Sequence, residues 1–157
     1  MLRGALFALS LLTALAAPAY AVGLEATQTV ERAVITIDEA GVETVTYEIA
    51  EELAPGDELR YTISYLNADD KPAQNVKLSM PVPVEVNYVE GSAKPGTADI
   101  SYSVDGETYA ARTALKIQTP EGERSAAAED IRFIRWSFTD GISPAEAGKI
   151  SYSGVLR

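Results

Sequence analysis

Apolar and polar residues alternate with a period of two through much of the chain. Val45, Tyr47 and Ile49 alternate with Thr44, Thr46 and Glu48. Leu59, Tyr61, Ile63 and Tyr65 alternate with Arg60, Thr62 and Ser64. The same rhythm returns at Val76/Leu78/Met80, Val84/Val86/Tyr88, Ile100/Tyr102/Val104, Ile134/Trp136/Phe138 and Ile150/Tyr152. In an extended chain successive side chains point to opposite faces, so each apolar set lines one face of a sheet and the polar set faces water.

Breakers fall between these runs. Asp38-Glu39-Ala40-Gly41 separates a first strand near residues 33–37 from residues 42–49, which predicts a hairpin. Turns or loops are expected at 54–57, 67–72, 91–96, 105–106, 120–122 and 140–148, each rich in Gly, Pro, Asp or Asn. Short strands at this spacing, with no helical period long enough for a crossover, predict an all-β antiparallel sandwich or barrel. The one helical stretch, around Ala126-Ala127-Ala128, is short enough to be a single turn or a loop.

Single residues sharpen the outline. Pro55 presets φ for the first corner of a type II turn and Gly56 supplies the positive φ of the second. Asn67 tolerates left-handed geometry at a strand exit. Pro81 and Pro83 lack N–H donors, so their strand stops there or lies at an edge, where proline also discourages aggregation. Trp136 sits in an alternating apolar set and is expected in the core rather than as an exposed platform for sugar stacking, as are Tyr61 and Tyr65, which share a face with Ile63; Tyr88, Tyr102 and Tyr152 raise the same question. Tyr109, near a turn, is the tyrosine expected at the surface. Ile131 and Phe133, if outward, would mark a contact for another protein.

The N-terminus has a different character. Arg3 precedes an apolar stretch at 5–17, and Ala19-Tyr20-Ala21 carries small residues at the positions a signal peptidase reads. The stretch is shorter than the ~20 residues of a spanning helix. Residues 1–21 are therefore expected to be a signal peptide. Residues 22–157 are expected to form a single β-sandwich domain with an extra hairpin-like segment near 33–53. The expected location is the periplasm, the medium or the cell surface, with no integral membrane span.

Charge and missing residue types remove several functions. Formal net charge is −10, with 23 acidic and 13 basic residues, so nucleic acid and anionic lipid surfaces are poor partners. Arg124, Arg132 and Arg135 form at most a loose local group. There is no cysteine, so stability rests on packing rather than disulfides. With neither His nor Cys, a Ser-His-Asp relay and a thiolate nucleophile are absent. No nucleophile elbow or phosphate loop occurs. Acid pairs stand at Glu51-Glu52, Asp57-Glu58, Asp69-Asp70 and Glu129-Asp130, but a glycosidase needs two carboxylates facing across ~5–10 Å of cleft. The expectation is no enzyme, and no catalytic, cofactor-binding or metal residue is assigned. Calcium at Asp57, Asp69, Asp70 and Asp140, if their loops converge, or at Asp105-Gly106-Glu107, is the lesser alternative, beside carbohydrate on a loop end or sheet face.

The order of short motifs carries a resemblance. Thr29-Val30 is followed by Pro55-Gly56-Asp57, Tyr61-Thr62-Ile63, Asn67 and Ala73-Gln74-Asn75-Val76. Pro81-Val82-Pro83, Tyr88-Val89-Glu90-Gly91-Ser92, Ile134-Arg135-Trp136, the 144–148 turn and a last strand at 150–156 complete the series. In this order the chain resembles the bacterial conserved-repeat family called domain of unknown function eleven. Two departures are the added segment at 35–53 and Met80 in place of an aspartate. The resemblance implies an Ig-like Greek-key sandwich of about seven to nine strands with little or no helix. It implies no enzymatic activity and no cofactor. It implies a module of cell-envelope structure or protein–protein interaction, whose partner is another envelope protein.

Overall fold

The turn at 54–57 starts the strand on which the fold is organised. In a computed structural model that describes residues 23–157, the Asp57 N–H donates to the Ala54 carbonyl at 3.0 Å and Gly56 has φ +97°. Proline and glycine thus occupy the two corners their backbones suit. The expected signal peptide, residues 1–21, lies outside the described residues.

Ten strands follow one another: β1 (Leu24–Ile37), β2 (Glu43–Ile49), β3 (Glu58–Asn67), β4 (Val76–Pro81), β5 (Val86–Tyr88), β6 (Asp99–Ser103), β7 (Lys116–Thr119), β8 (Gly122–Ser125), β9 (Phe133–Phe138) and β10 (Ala147–Leu156). Two single 3-10 turns, Arg112–Ala114 and Ala128–Asp130, are the only helical elements among the described residues. One sheet has the order β2-β1-β3-β10-β5, a second β4-β9-β6, and β7-β8 form a separate ribbon. Every pairing is antiparallel. The chain is an all-β sandwich, as the period-two pattern predicts. The small β7-β8 ribbon, around the expected turn at 120–122, adds to the strands visible in that pattern.

The core lies between the two larger sheets. Leu59, Tyr61, Ile63 and Tyr65 of β3 and Ile150 and Tyr152 of β10 face Met80, Ile134, Trp136 and Phe138. Tyr61 and Tyr152 are register partners whose rings stack at 4.8 Å. Tyr65 meets Phe138 edge-on at 5.1 Å across the sheets. Trp136 is wholly buried, and its Nε1 donates to the Lys94 carbonyl at 2.7 Å. The Lys94 N–H in turn donates to the Ser151 carbonyl on β10, so one residue ties the indole to the opposite sheet. Each such large apolar side chain contributes about 1.5–3 kcal/mol by leaving water. Gly148 on β10 is required by close approach, since a Cβ there would collide with the Tyr65 hydroxyl.

Tertiary placement decides three positions that the local sequence leaves open. Asn67 is not left-handed; among non-glycine described residues only Asn75 and Ala145 have positive φ. It is fully buried instead, donating from Nδ2 to the carbonyls of Lys71 and Ile142 at 2.8 and 2.9 Å. Ile131 is not outward but fully buried, because the 3-10 turn before it redirects the chain into the core, and Phe133 is half-buried. Tyr109 is half-buried beneath the Arg135 guanidinium, which lies 3.3 Å from its ring centre.

Candidate protein-interaction surface

Strand β1 is longer than its neighbour on one side. Its pairing with β3 runs from Leu24↔Asn67 to Arg32↔Leu59, and its pairing with β2 runs from Glu31↔Ile49 to Ile37↔Glu43. Residues 33–37 therefore extend past the start of β3, carrying β2 with them. The result is a hairpin projecting by about five residues, or ~17 Å at the rise of a strand.

Local chemistry closes the tip. The Asp38 carboxylate accepts from the N–H groups of Ala40 and Val42, both at 2.9 Å, and the Gly41 N–H donates to the Asp38 carbonyl. The root is pinned to the sandwich. Arg60 of β3 donates from Nε and Nη2 to Glu31 at 3.0 and 2.8 Å, and its guanidinium lies 3.5 Å from the Tyr47 ring centre. Ion pairs and cation–π contacts at partly exposed sites contribute about 0.2–1 kcal/mol each.

The β1–β2 hairpin exposes most of the large apolar side chains that meet water. Ile35, Ile37, Val42, Val45 and Ile49 are 50–80% exposed; beyond the hairpin only Leu66 and Val84 join them among the described residues. Ile35 pairs with Val45 and Ala33 with Tyr47, so these four share the sheet's outer face. That face continues into an open notch of about 410 Å³ lined by Ala33, Ile35, Val45, Val155 and the 56–58 turn. Val45, Tyr47 and Ile49 were legible as one apolar set. Their face is the outer one, because register sets them in the row of Glu31 and Arg60, on the side away from the buried Leu59 and Tyr61.

The outer strands β5, β4 and β6 have blunted edges. Strand β5 is three residues long. Strand β4 carries Lys77 and ends at Pro81. Strand β6 is partly covered through a Tyr102↔Ala110 bridge. Strand β2, Glu-Thr-Val-Thr-Tyr-Glu-Ile, has neither Lys nor Pro, the residues that usually protect an edge.

Of the carboxylates singled out in the sequence, Asp69, Asp70 and Asp140 stand in loops joined by the Ala73↔Ile142 bridge, and Asp57 does not meet them. Asp57 stands at the start of β3 and Asp69 and Asp70 follow its end, so the strand's length separates them. Asp57 accepts from the Ala54 N–H at 2.8 Å, and Asp69 from the Asp70 N–H at 2.7 Å. Asp105 accepts from the N–H groups of Thr108 and Glu107 and from the Ser103 hydroxyl, which hold its carboxyl below the usual range. Asp130, in the second 3-10 turn, is lowered first by its bond to Arg124. These acids serve their own loops. Among the described residues no group of three or more acidic side chains is placed to hold a metal. Of the basic group, Arg135 donates to Ser79 and Arg132 to the Ile131 carbonyl, while Arg124 and Arg132 both act on the Asp130 carboxylate, which offsets their charge. Tyr47 and Tyr109 are the tyrosines outside the buried core among the described residues, each beneath an arginine, which leaves no row of bare rings for a sugar.

No described helix is long and apolar enough to cross a membrane. Comparisons with protein-family models, with curated proteins and with solved structures found no match.

Proposed function

We propose that this chain is a non-enzymatic, exported β-sandwich module that acts in the cell envelope by binding another protein, with the β1–β2 hairpin as its binding element. The observation that carries the reading is the placement of Ile35, Ile37, Val42, Val45 and Ile49 on one projecting hairpin. Exposed apolar side chains grouped on one element mark contact sites. The signal-peptide pattern at 1–21 and the resemblance to envelope repeat modules support the location. The lack of His and Cys and the engagement of the loop carboxylates support a role in binding rather than catalysis.

The test is site-specific photo-crosslinking in cells, with the reactive residue placed at position 45 or, as a control, at the exposed position 84. A discrete protein adduct from 45 and none from 84 is expected, in an envelope fraction where the chain has lost residues 1–21. No adduct at 45, or retention of the chain in the cytoplasm at full length, overturns the reading.

A further inference from the structure

The backbone of β2 has one free side, and its polarity can be worked out. At the root the Ala50 N–H donates to the Val30 carbonyl, and at the tip the Asp38 N–H donates to the Val42 carbonyl. Antiparallel strands alternate between hydrogen-bonded and non-bonded pairs. Between those two ends Thr44, Thr46 and Glu48 are therefore the β2 residues that bond to β1. The N–H and C=O groups of Glu43, Val45, Tyr47 and Ile49 point away from the sheet, and β2 has no second neighbour. These are also the residues whose side chains share the outer face with Ile35 and Ile37. One row of residues thus offers both unsatisfied backbone groups and an apolar strip.

Charge selects what fits there. Residues 31–58 contain nine acidic residues and a single basic one, Arg32, which is most of the chain's net −10. The nearby Arg60 is already committed to Glu31. Two copies of this hairpin edge to edge would bring like charges together, which is destabilising. We infer that β2 takes up, as an added strand, an extended segment of a partner protein in which apolar residues alternate with Lys or Arg. Its apolar side chains extend the strip formed by Val45 and Ile49. Its basic side chains lie on the opposite face beside Glu48, whose cross-strand neighbour is Arg32, and basic residues flanking the segment reach Glu39 and, on the outer face, Glu43 at the tip. Main-chain bonds supply affinity and the alternation supplies specificity. The inference rests on the binding role proposed above and gives it a partner chemistry.

The experiment titrates the purified protein with a synthetic peptide of about ten residues alternating Ile or Val with Lys. Binding is read by calorimetry and by amide hydrogen exchange. The expected result is slowed exchange at Val45, Tyr47 and Ile49, with affinity that falls as salt rises. Replacing the peptide's Lys by Glu should weaken binding at least roughly tenfold. Val45→Pro should do the same: the N–H it deletes faces away from β1, so the hairpin's own bonds survive. Ile49→Lys is the companion variant, and circular dichroism verifies that both remain folded. Equal binding of the Glu peptide, unchanged binding by Val45→Pro, or no binding of the Lys peptide overturns the inference. So does a dimer of the protein alone that Ile49→Lys dissolves, because the occupant is then a second copy. A crosslink at position 45 with no peptide binding removes this partner chemistry and leaves the binding role standing; loss of the crosslink removes both.

Discussion

The Tyr152 hydroxyl donates a 2.6 Å hydrogen bond to the Pro81 carbonyl. It joins β10 in one sheet to the final residue of β4 in the other, with the Tyr152 ring stacked on Tyr61 beside it. Tyr152→Phe keeps the ring and removes only the donor, leaving a carbonyl short of its partner. The expected cost is about 1–2 kcal/mol, measured by urea denaturation. Unchanged stability would show that water replaces the hydroxyl.

Asn67 is expected to be among the most sensitive polar positions. Its side chain bonds the carbonyls of Lys71 and Ile142 and accepts from the Asp69 N–H, all around a site closed to solvent. Asn67→Ala strands these groups and should cost about 2–4 kcal/mol. Asn67→Asp restores the acceptor but neither donated bond, so it should rescue little. Rescue to wild-type stability in a denaturant titration would contradict this account.

Alkaline pH should unfold the protein through its tyrosines. Burial raises the pKa of Tyr152, and the neighbouring Tyr61 raises it further. Tyr102 is raised by burial and then by its hydrogen bond with Tyr88; Tyr61 and Tyr65 are raised by burial first. A phenol whose folded pKa lies above its unfolded value of about 10 stabilises the fold fully below that pH. The contribution is lost as pH rises from there through the folded values. Phenolate absorbance should therefore lag behind free tyrosine above pH ~10 and then jump with a cooperative loss of structure. A smooth titration of every tyrosine near the ordinary value, with the fold intact, would refute it.

Outer-face substitutions on the hairpin should leave stability almost untouched. Ile37→Thr and Val45→Thr remove apolar surface that is already in water, so unfolding free energy should change by no more than about 0.5 kcal/mol. Solubility should rise. A loss of several kcal/mol in thermal or chemical denaturation would mean these side chains are buried.

Ile134, Trp136 and Phe138 were legible because β9 is central in its sheet, with one face covered, so alternation and burial coincide. The Pro55-Gly56 turn was legible because it depends on two residues' own φ preferences. Asn67 was not, because the carbonyl that captures it belongs to Ile142, 75 positions away. Ile131 was not, because a single 3-10 turn redirects it. The hairpin at 33–49 was legible as paired strands, but alternation cannot say which face is covered. That depended on the register of β1 against β3.

The lone indole gives the molecule a built-in gauge. Trp136 is sealed in the interior and held by Lys94, on a sheet that does not include the hairpin. Its fluorescence should redshift when the whole sandwich comes apart and stay silent when something docks on β2. Emission colour thus separates collapse of the scaffold from occupancy of its edge in a single cuvette.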